Sequence, residues 1–465
     1  MTDESTWSRF RTAVARRVGV DARALAALRV ALGVLLLADL AFRARHLVAF
    51  YTNRGVLPVA ALRGEYAAFA EFSLHAAGGV GVQAALFALA AVAALAVLAG
   101  YHTRLAVVAS LVLLASLHAR NPVVLSAGDS LLRRLLLWSV FLPLGARWSV
   151  DARRGARRDG HVASAATAGL LVQVVVVYAV NAVVKLRGDA WLGGDAIRYV
   201  FGLGGYTTAF GAVLADFPAV LGALSHGWLA LLVASPLLLV VVGRARTALA
   251  AAFAVAHLGM AATMHLGLFP FISAAALIPL FPPAVWDRLP EPSRSPTAVL
   301  DDVLPAVSAP RGVSAPGLRR TVSVAGRALA AALLVGVLVW NAAALGYADV
   351  PGASGVDPGE HRWDMFAPEP RHAYVEYDAT GTLASGERVD PMARGFDGMR
   401  WRTYLFTLQQ PGSEALADDF AGYLCERDGR LASVDVDYVE YTVRLDAPDE
   451  GVRRDLVEQS CPGTG

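Results

Sequence analysis

The chain has 465 residues, 56% of them hydrophobic and 17% charged, with a mean hydropathy of +0.48. That is too apolar for an ordinary soluble protein and reads as a polytopic membrane protein, with membrane lipid as its first partner. The net charge is only +2, and the arginines are scattered between apolar runs, so nucleic acid is excluded as a partner.

The first 23 residues carry Arg9, Arg11, Arg16, Arg17 and Arg23 and predict a cytoplasmic amphipathic segment leading into a retained span. Apolar runs suited to helical spans follow at roughly 24–41, 80–99, 105–119, 131–145, 168–185, 228–242, 247–264, 266–281 and 326–346. They predict an all-α membrane domain of about nine transmembrane helices over 24–350, some of them shorter than a bilayer crossing needs. Orientation follows from where Lys and Arg collect. The cluster Arg147, Arg153, Arg154, Arg157, Arg158, the turn at Arg244 and Arg246, and a Pro-rich loop over 282–325 ending in Arg319 and Arg320 place the N-terminus in the cytoplasm. Loop 42–79, with Arg43, Arg45, Arg54 and Arg63, dissents.

Nine spans put residues 351–465 outside. This tail is polar, with strand-like runs at Ala373-YVEYD and Val434-DVDYVEYTVRL, a turn at Ala379-Thr-Gly381 and a helical pattern over 413–427, so it predicts a small extracytoplasmic α+β module. Both cysteines, Cys425 and Cys461, lie in it and are candidates for a disulfide. Two cysteines alone cannot make a four-ligand zinc site, and no HExxH, CxxC or GxSxG occurs, so no metal is expected.

Of 41 Lys and Arg residues, only Lys185 is lysine. A chain that has otherwise drifted to Arg keeps a lysine for what guanidinium cannot do, and a lysine in an apolar pocket can lose its proton and act as base or nucleophile. The plainer readings are a snorkelling cation at a helix end or a chance survivor. Asp189 and Asp195, just beyond, either cap helices and solvate a loop or orient Lys185. The glycine-rich run from Gly202 follows no strand and reads as an irregular outer loop, not a phosphate loop.

Several stretches, in order, resemble one family: Leu28-RVALGVLLLADL, Phe50-YTNRGVLP, Arg147-WSVD, the run from Tyr178 to Trp191, His257-LGMAATMHLGLFPF and Trp363-DMFAPEP. The chain resembles the HTTM proteins (horizontally transferred transmembrane domain), related to the vitamin K-dependent gamma-glutamyl carboxylases. The resemblance implies Lys185, seven residues after Tyr178 and shortly before Trp191, as the base acting on a vitamin K-like hydroquinone. It implies His257 as a second catalytic residue, where the plainer reading is a hydrogen-bonded core histidine, and Phe269 against the quinone ring; by spacing, His265 falls on the same helical face as His257. Where the carboxylases carry another active-site histidine, this chain reads Asn121-PVVLSAGDS, which brings Asn121 and Asp129 into the expected quinone site and replaces a base by an acid. Asp129 would then pair with Arg133 or with Lys185. Trp363-DMFAPEP is expected to pack the tail on the membrane face.

Two functions stay open. One is a carboxylase-like membrane enzyme using Lys185 as base on a quinone or other lipid-soluble substrate at the outer face. The other is a non-catalytic transporter, or an assembly or scaffold protein, with Lys185 in a structural ion pair. The residues do not name a protein substrate.

Overall fold

The computed structural model describes residues 2–77, 79–156, 160–289, 316–349 and 357–462. Most of the Pro-rich loop therefore lies outside the described residues, as do Arg157 and Arg158. The chain is mostly helical, with a small antiparallel sheet in the tail. The longer elements are α1 (Thr2–Val18), β1 (Val20–Asp21), α2 (Ala22–Ala44), α3 (Val80–Ala99), α4 (Thr103–Arg120), α5 (Ala127–Ser139), β2 (His161–Val162), α6 (Ala165–Lys185), α7 (Asp189–Gly193), α8 (Ala196–Gly202), α9 (Ala209–Ala215), α10 (Pro218–Val233), α11 (Gly243–Thr263), α12 (Phe269–Leu277) and α13 (Pro316–Ala344).

Among the described residues six helices are long and apolar enough to cross a membrane: α2, α3, α4, α6, α11 and the Ser323–Ala344 part of α13. The pair α9 and α10, bent by 104° at the break between them, is either one broken span, which makes seven, or a re-entrant loop. Nine were expected, and the difference has local causes. The run 131–145 yields only the 13-residue α5, followed by non-helical turns around Pro143. The run 228–242 is interrupted after Val233, at the turn that contains Pro236. The run 266–281 cannot start as a helix because Gly267 takes φ +60, and α12 with its short 3-10 extension ends at Leu280.

The core is built around α6, which is capped at its start by Ser164 and Thr167 in a reciprocal capping box. Gly169 lets α6 lie directly on the indole of Trp138 in α5, where an added Cβ would collide with the ring. Helix α6 also packs on α13, α10 and α5.

In the tail, β3 (Ala373–Leu383), β4 (Arg388–Val389), β5 (Leu431–Thr442) and β6 (Glu450–Ser460) form one antiparallel sheet in the order β4-β3-β5-β6. Helices α14 (Met399–Leu408) and α15 (Glu414–Arg427) accompany it. The turn expected at Ala379-Thr-Gly381 is instead the middle of β3, where Gly381 pairs with Val389 and Val434. The chain reverses later, at Gly386, with φ +84. Cys425 and Cys461 are joined by a disulfide.

The core of the tail is continuous with the loop after α2. Trp401, Tyr404, Phe420, Val434 and Val436 bury together with Phe50, Tyr51, Val56 and Leu57 from the loop after α2. Tyr404 donates to the Val56 carbonyl at 3.2 Å, and the Trp401 indole donates to His46 at 3.3 Å. One of the dissenting arginines is accounted for, because Arg43 lies in the last turn of α2, where it is fully buried and charge-paired.

Candidate functional site

Tyr178, Asn181 and Lys185 recur at i, i+3 and i+7 on α6, so all three face one side of the helix. That side opens into an apolar cavity of about 500 Å³, bordered by α6, α8 to α12 and the segment 363–366. Its walls include Trp228, His257, Phe269 and Met260, with Phe210 and Val255 on the side that faces outward.

Lys185 sits at the end of this cavity and is 2% exposed. Its Nζ donates to the carbonyls of Met365 and Phe366, each at 2.8 Å. Beneath it lies the Trp191 ring, 3.6 Å from Nζ to centroid, and the Trp191 indole N–H donates to the same Phe366 carbonyl at 2.7 Å. Asn181 Nδ2 donates to the carbonyls of Trp363 and Met365, at 3.2 and 3.4 Å. The Glu369 carboxylate accepts from the Ala190 N–H at the start of α7, at 3.2 Å. Gly188 is needed here, since a Cβ at that position would run into the Pro368 carbonyl. Phe366 itself holds a positive φ of +52, the kind of conformation a non-glycine residue keeps only when its surroundings over-determine it. The 363–369 segment thus does more than pack. It supplies the backbone acceptors for the lone lysine, a role no sequence pattern carries because carbonyls are common to all residues.

At the cavity wall, Tyr178 and His257 form a buried hydrogen bond, 2.9 Å from phenol oxygen to Nε2. The Tyr178 ring stacks on Phe253 at 4.4 Å, and His257 meets Phe269 and Trp228 edge-on at 5.8 and 5.6 Å. His257 Nδ1 is buried without a partner. Lys185, Tyr178, Trp191, His257 and Phe269 therefore share one cavity.

Three expected neighbours lie elsewhere. Helix α11 ends at Thr263, so His265 leaves the face of His257; it is exposed and its N–H donates to the Tyr206 carbonyl at 2.7 Å. Asn121 donates to the Phe50 carbonyl at 3.0 Å, fixing the loop after α2. Asp129 pairs with neither Lys185 nor Arg133. It accepts from Arg43 at 2.5 Å and faces Arg400 of the tail at 3.4 Å, while its other oxygen caps α5 through Ser126. Arg43 and Arg400 also hold Asp39, at 2.7 and 2.6 Å. Arg43 donates to His118 Nε2 at 2.7 Å; a guanidinium only donates, so this ring nitrogen accepts. Ligand atoms of Asp39, His118 and Asp129 approach within 4.8 Å, the spacing of a metal site. Two guanidiniums already neutralise the two carboxylates, so the cluster is an ionic tie between tail and bundle. Asp195 pairs with Arg198 at 2.8 Å and does not orient the lysine.

The HTTM domain family model matches residues 18–286. The chain belongs to the HTTM domain family. No curated protein and no solved structure matches it. The HTTM match contains Lys185, Tyr178, Trp191, His257 and Phe269, whereas the two carbonyls that hold Lys185 come from beyond its end.

Proposed function

We propose that this HTTM protein is a multi-pass membrane enzyme in which Lys185 acts as a base on a flat, lipid-soluble substrate of the quinone class. The observation that carries the reading is the setting of Nζ: it lies at the end of an apolar cavity, and among the described residues no carboxylate stands within ion-pair distance of it. A structural ion pair at Lys185 lacks its partner.

The residues fit such a substrate. The cavity, at about 500 Å³, falls in the range of small-molecule sites, and it combines aromatic walls with a few convergent polar groups. The polar residues on its wall, besides Lys185, include Tyr178, Asn181, Thr263 and His257, whose Nδ1 is unpartnered. A hydroquinone bound there would supply an acidic phenolic hydroxyl. A neutral lysine amine has two N–H groups and one lone pair, so the Met365 and Phe366 carbonyls can take both N–H groups and leave the lone pair to accept a proton. Once protonated, the ammonium keeps both carbonyl bonds and gains the negative face of Trp191. Exclusion of water by the 363–369 segment keeps that proton from bulk exchange. Phe269 and Trp228 would orient the ring, and Tyr178 fixes His257.

In this reading the N-terminus is cytoplasmic and the tail extracytoplasmic, the side on which a disulfide persists. The test is purification of wild type, Lys185→Arg and Lys185→Ala from membranes, with extracted quinones quantified and base catalysis followed as the oxygen-dependent oxidation of added hydroquinone, which proceeds through its phenolate. Loss of this oxidation in both variants, with folding and quinone binding retained, is expected. Full oxidation in Lys185→Arg would defeat the base role, and absence of any quinone-class ligand from the wild type would defeat the substrate class.

A further inference from the structure

At the end of the bundle away from the tail, a pocket of about 770 Å³ opens between α1, the start of α11 and the turn at 279–287. Arg246, in the first turn of α11, borders it and is only 4% exposed. Its Nη1 donates to the Arg17 carbonyl at 2.9 Å, but Nε and Nη2 have no hydrogen-bond partner and no carboxylate pairs with it among the described residues. A buried cation left this incomplete is costly unless something anionic completes it. The helix behind it has the same need. The N-cap position of α11 is Val242, whose side chain cannot cap, so its first N–H groups lack a side-chain acceptor. Arg16 adds a third source of positive charge at the exposed rim, and His161 stands on the pocket wall.

The acids nearby are already engaged. Asp21 and Asp287 also border the pocket, and Arg23 binds both, at 2.9 and 2.7 Å. The level of the pocket relative to the bilayer follows from α1. Trp7, Phe10 and Val14 are exposed on one face of that helix at 60%, 56% and 39%, the i, i+3, i+7 pattern of a helix lying in the interface. A pocket beside such a helix sits at headgroup depth.

We propose that this pocket binds the phosphate of an anionic phospholipid headgroup, held by Arg246, Arg16 and the uncapped N-terminus of α11. Two guanidiniums and a helix N-terminus are the donor set that phosphate oxygens take up. The site is independent of the Lys185 cavity.

The full-length protein in detergent, titrated with phosphatidylglycerol or phosphatidylcholine and read by native mass spectrometry, tests this. Wild type should hold phosphatidylglycerol about tenfold more tightly than phosphatidylcholine, and Arg246→Gln should erase the preference. Arg16→Gln, at an exposed position that leaves the fold intact, should reduce it by about threefold, so the test survives if Arg246→Gln does not fold. Equal retention of the two lipids by wild type, or a preference unchanged in both variants, would overturn the proposal. Displacement of phosphatidylglycerol by inorganic phosphate at equal concentration would overturn the lipid assignment in favour of a soluble phosphate compound.

Discussion

Arg400 of the tail reaches Asp39 of α2, Nη2 to carboxylate 2.6 Å, across 361 residues of chain. It shares that carboxylate with Arg43, and both guanidiniums also face Asp129, so two cations and two anions close on one another where tail and bundle meet. Removing one member leaves a buried charge unmatched. Arg400→Ala should lower stability by about 3–5 kcal/mol and expose the tail to limited proteolysis. Thermal unfolding and a protease time course would read both; an unchanged cleavage rate would mean that the shared aromatic core holds the tail without the ionic tie.

Trp191 makes two separable contributions. Its ring underlies Lys185 Nζ and its N–H donates to the Phe366 carbonyl. Trp191→Phe keeps a ring face and should cost about 1 kcal/mol, while Trp191→Leu loses both and should cost about 2–3 kcal/mol. A double-mutant cycle with Lys185→Met isolates the ring term, and a coupling near zero would show that Lys185 in its resting state gains nothing from the indole.

The disulfide between Cys425 and Cys461 closes a 36-residue separation that contains β5 and β6. Its replacement by two serines should destabilise the tail by roughly 4 kcal/mol on loop-closure grounds. Reductant should shift the melting temperature of wild type and leave that of the double serine variant where it is.

His75 lies in the turn before α3, outside the spanning helices, and is 1% exposed. Burial, with Arg120 and Arg43 nearby, pushes its imidazole down to about 4 from the usual 6.5. A depressed histidine favours folding in its neutral form, so this stabilisation is complete above pH 6.5 and is lost as pH falls toward 4. The loss amounts to about 3 kcal/mol at most. His75→Gln should flatten that part of a stability–pH curve measured in detergent, and an unaltered curve would assign the acid sensitivity to other groups.

The apolar runs at Ala22–Ala44, Val80–Ala99 and Ala165–Lys185 were legible because span length and hydropathy are local properties. Of the three runs that fall short, two break at Pro143 and Pro236, each inside an apolar run whose hydropathy outweighs the missing N–H, and the third at Gly267, whose positive φ hydropathy does not register. Tyr178, Lys185, His257 and Phe269 could be grouped by their spacing and their resemblance to known relatives, and the fold brings them to one cavity. Asp129 could not be placed, since its partners Arg43 and Arg400 are 86 and 271 residues away. The acceptors of Lys185 were equally hidden, because Met365 and Phe366 act through backbone that any residue would offer.

That last feature bears on how the protein can be taken apart. A fragment cut at residue 286 would retain the whole family-matched segment and its lone lysine, yet leave Nζ without either carbonyl and Trp191 without its acceptor. Swapping membrane domains between relatives would fail for the same reason unless the 363–369 strap travels with them.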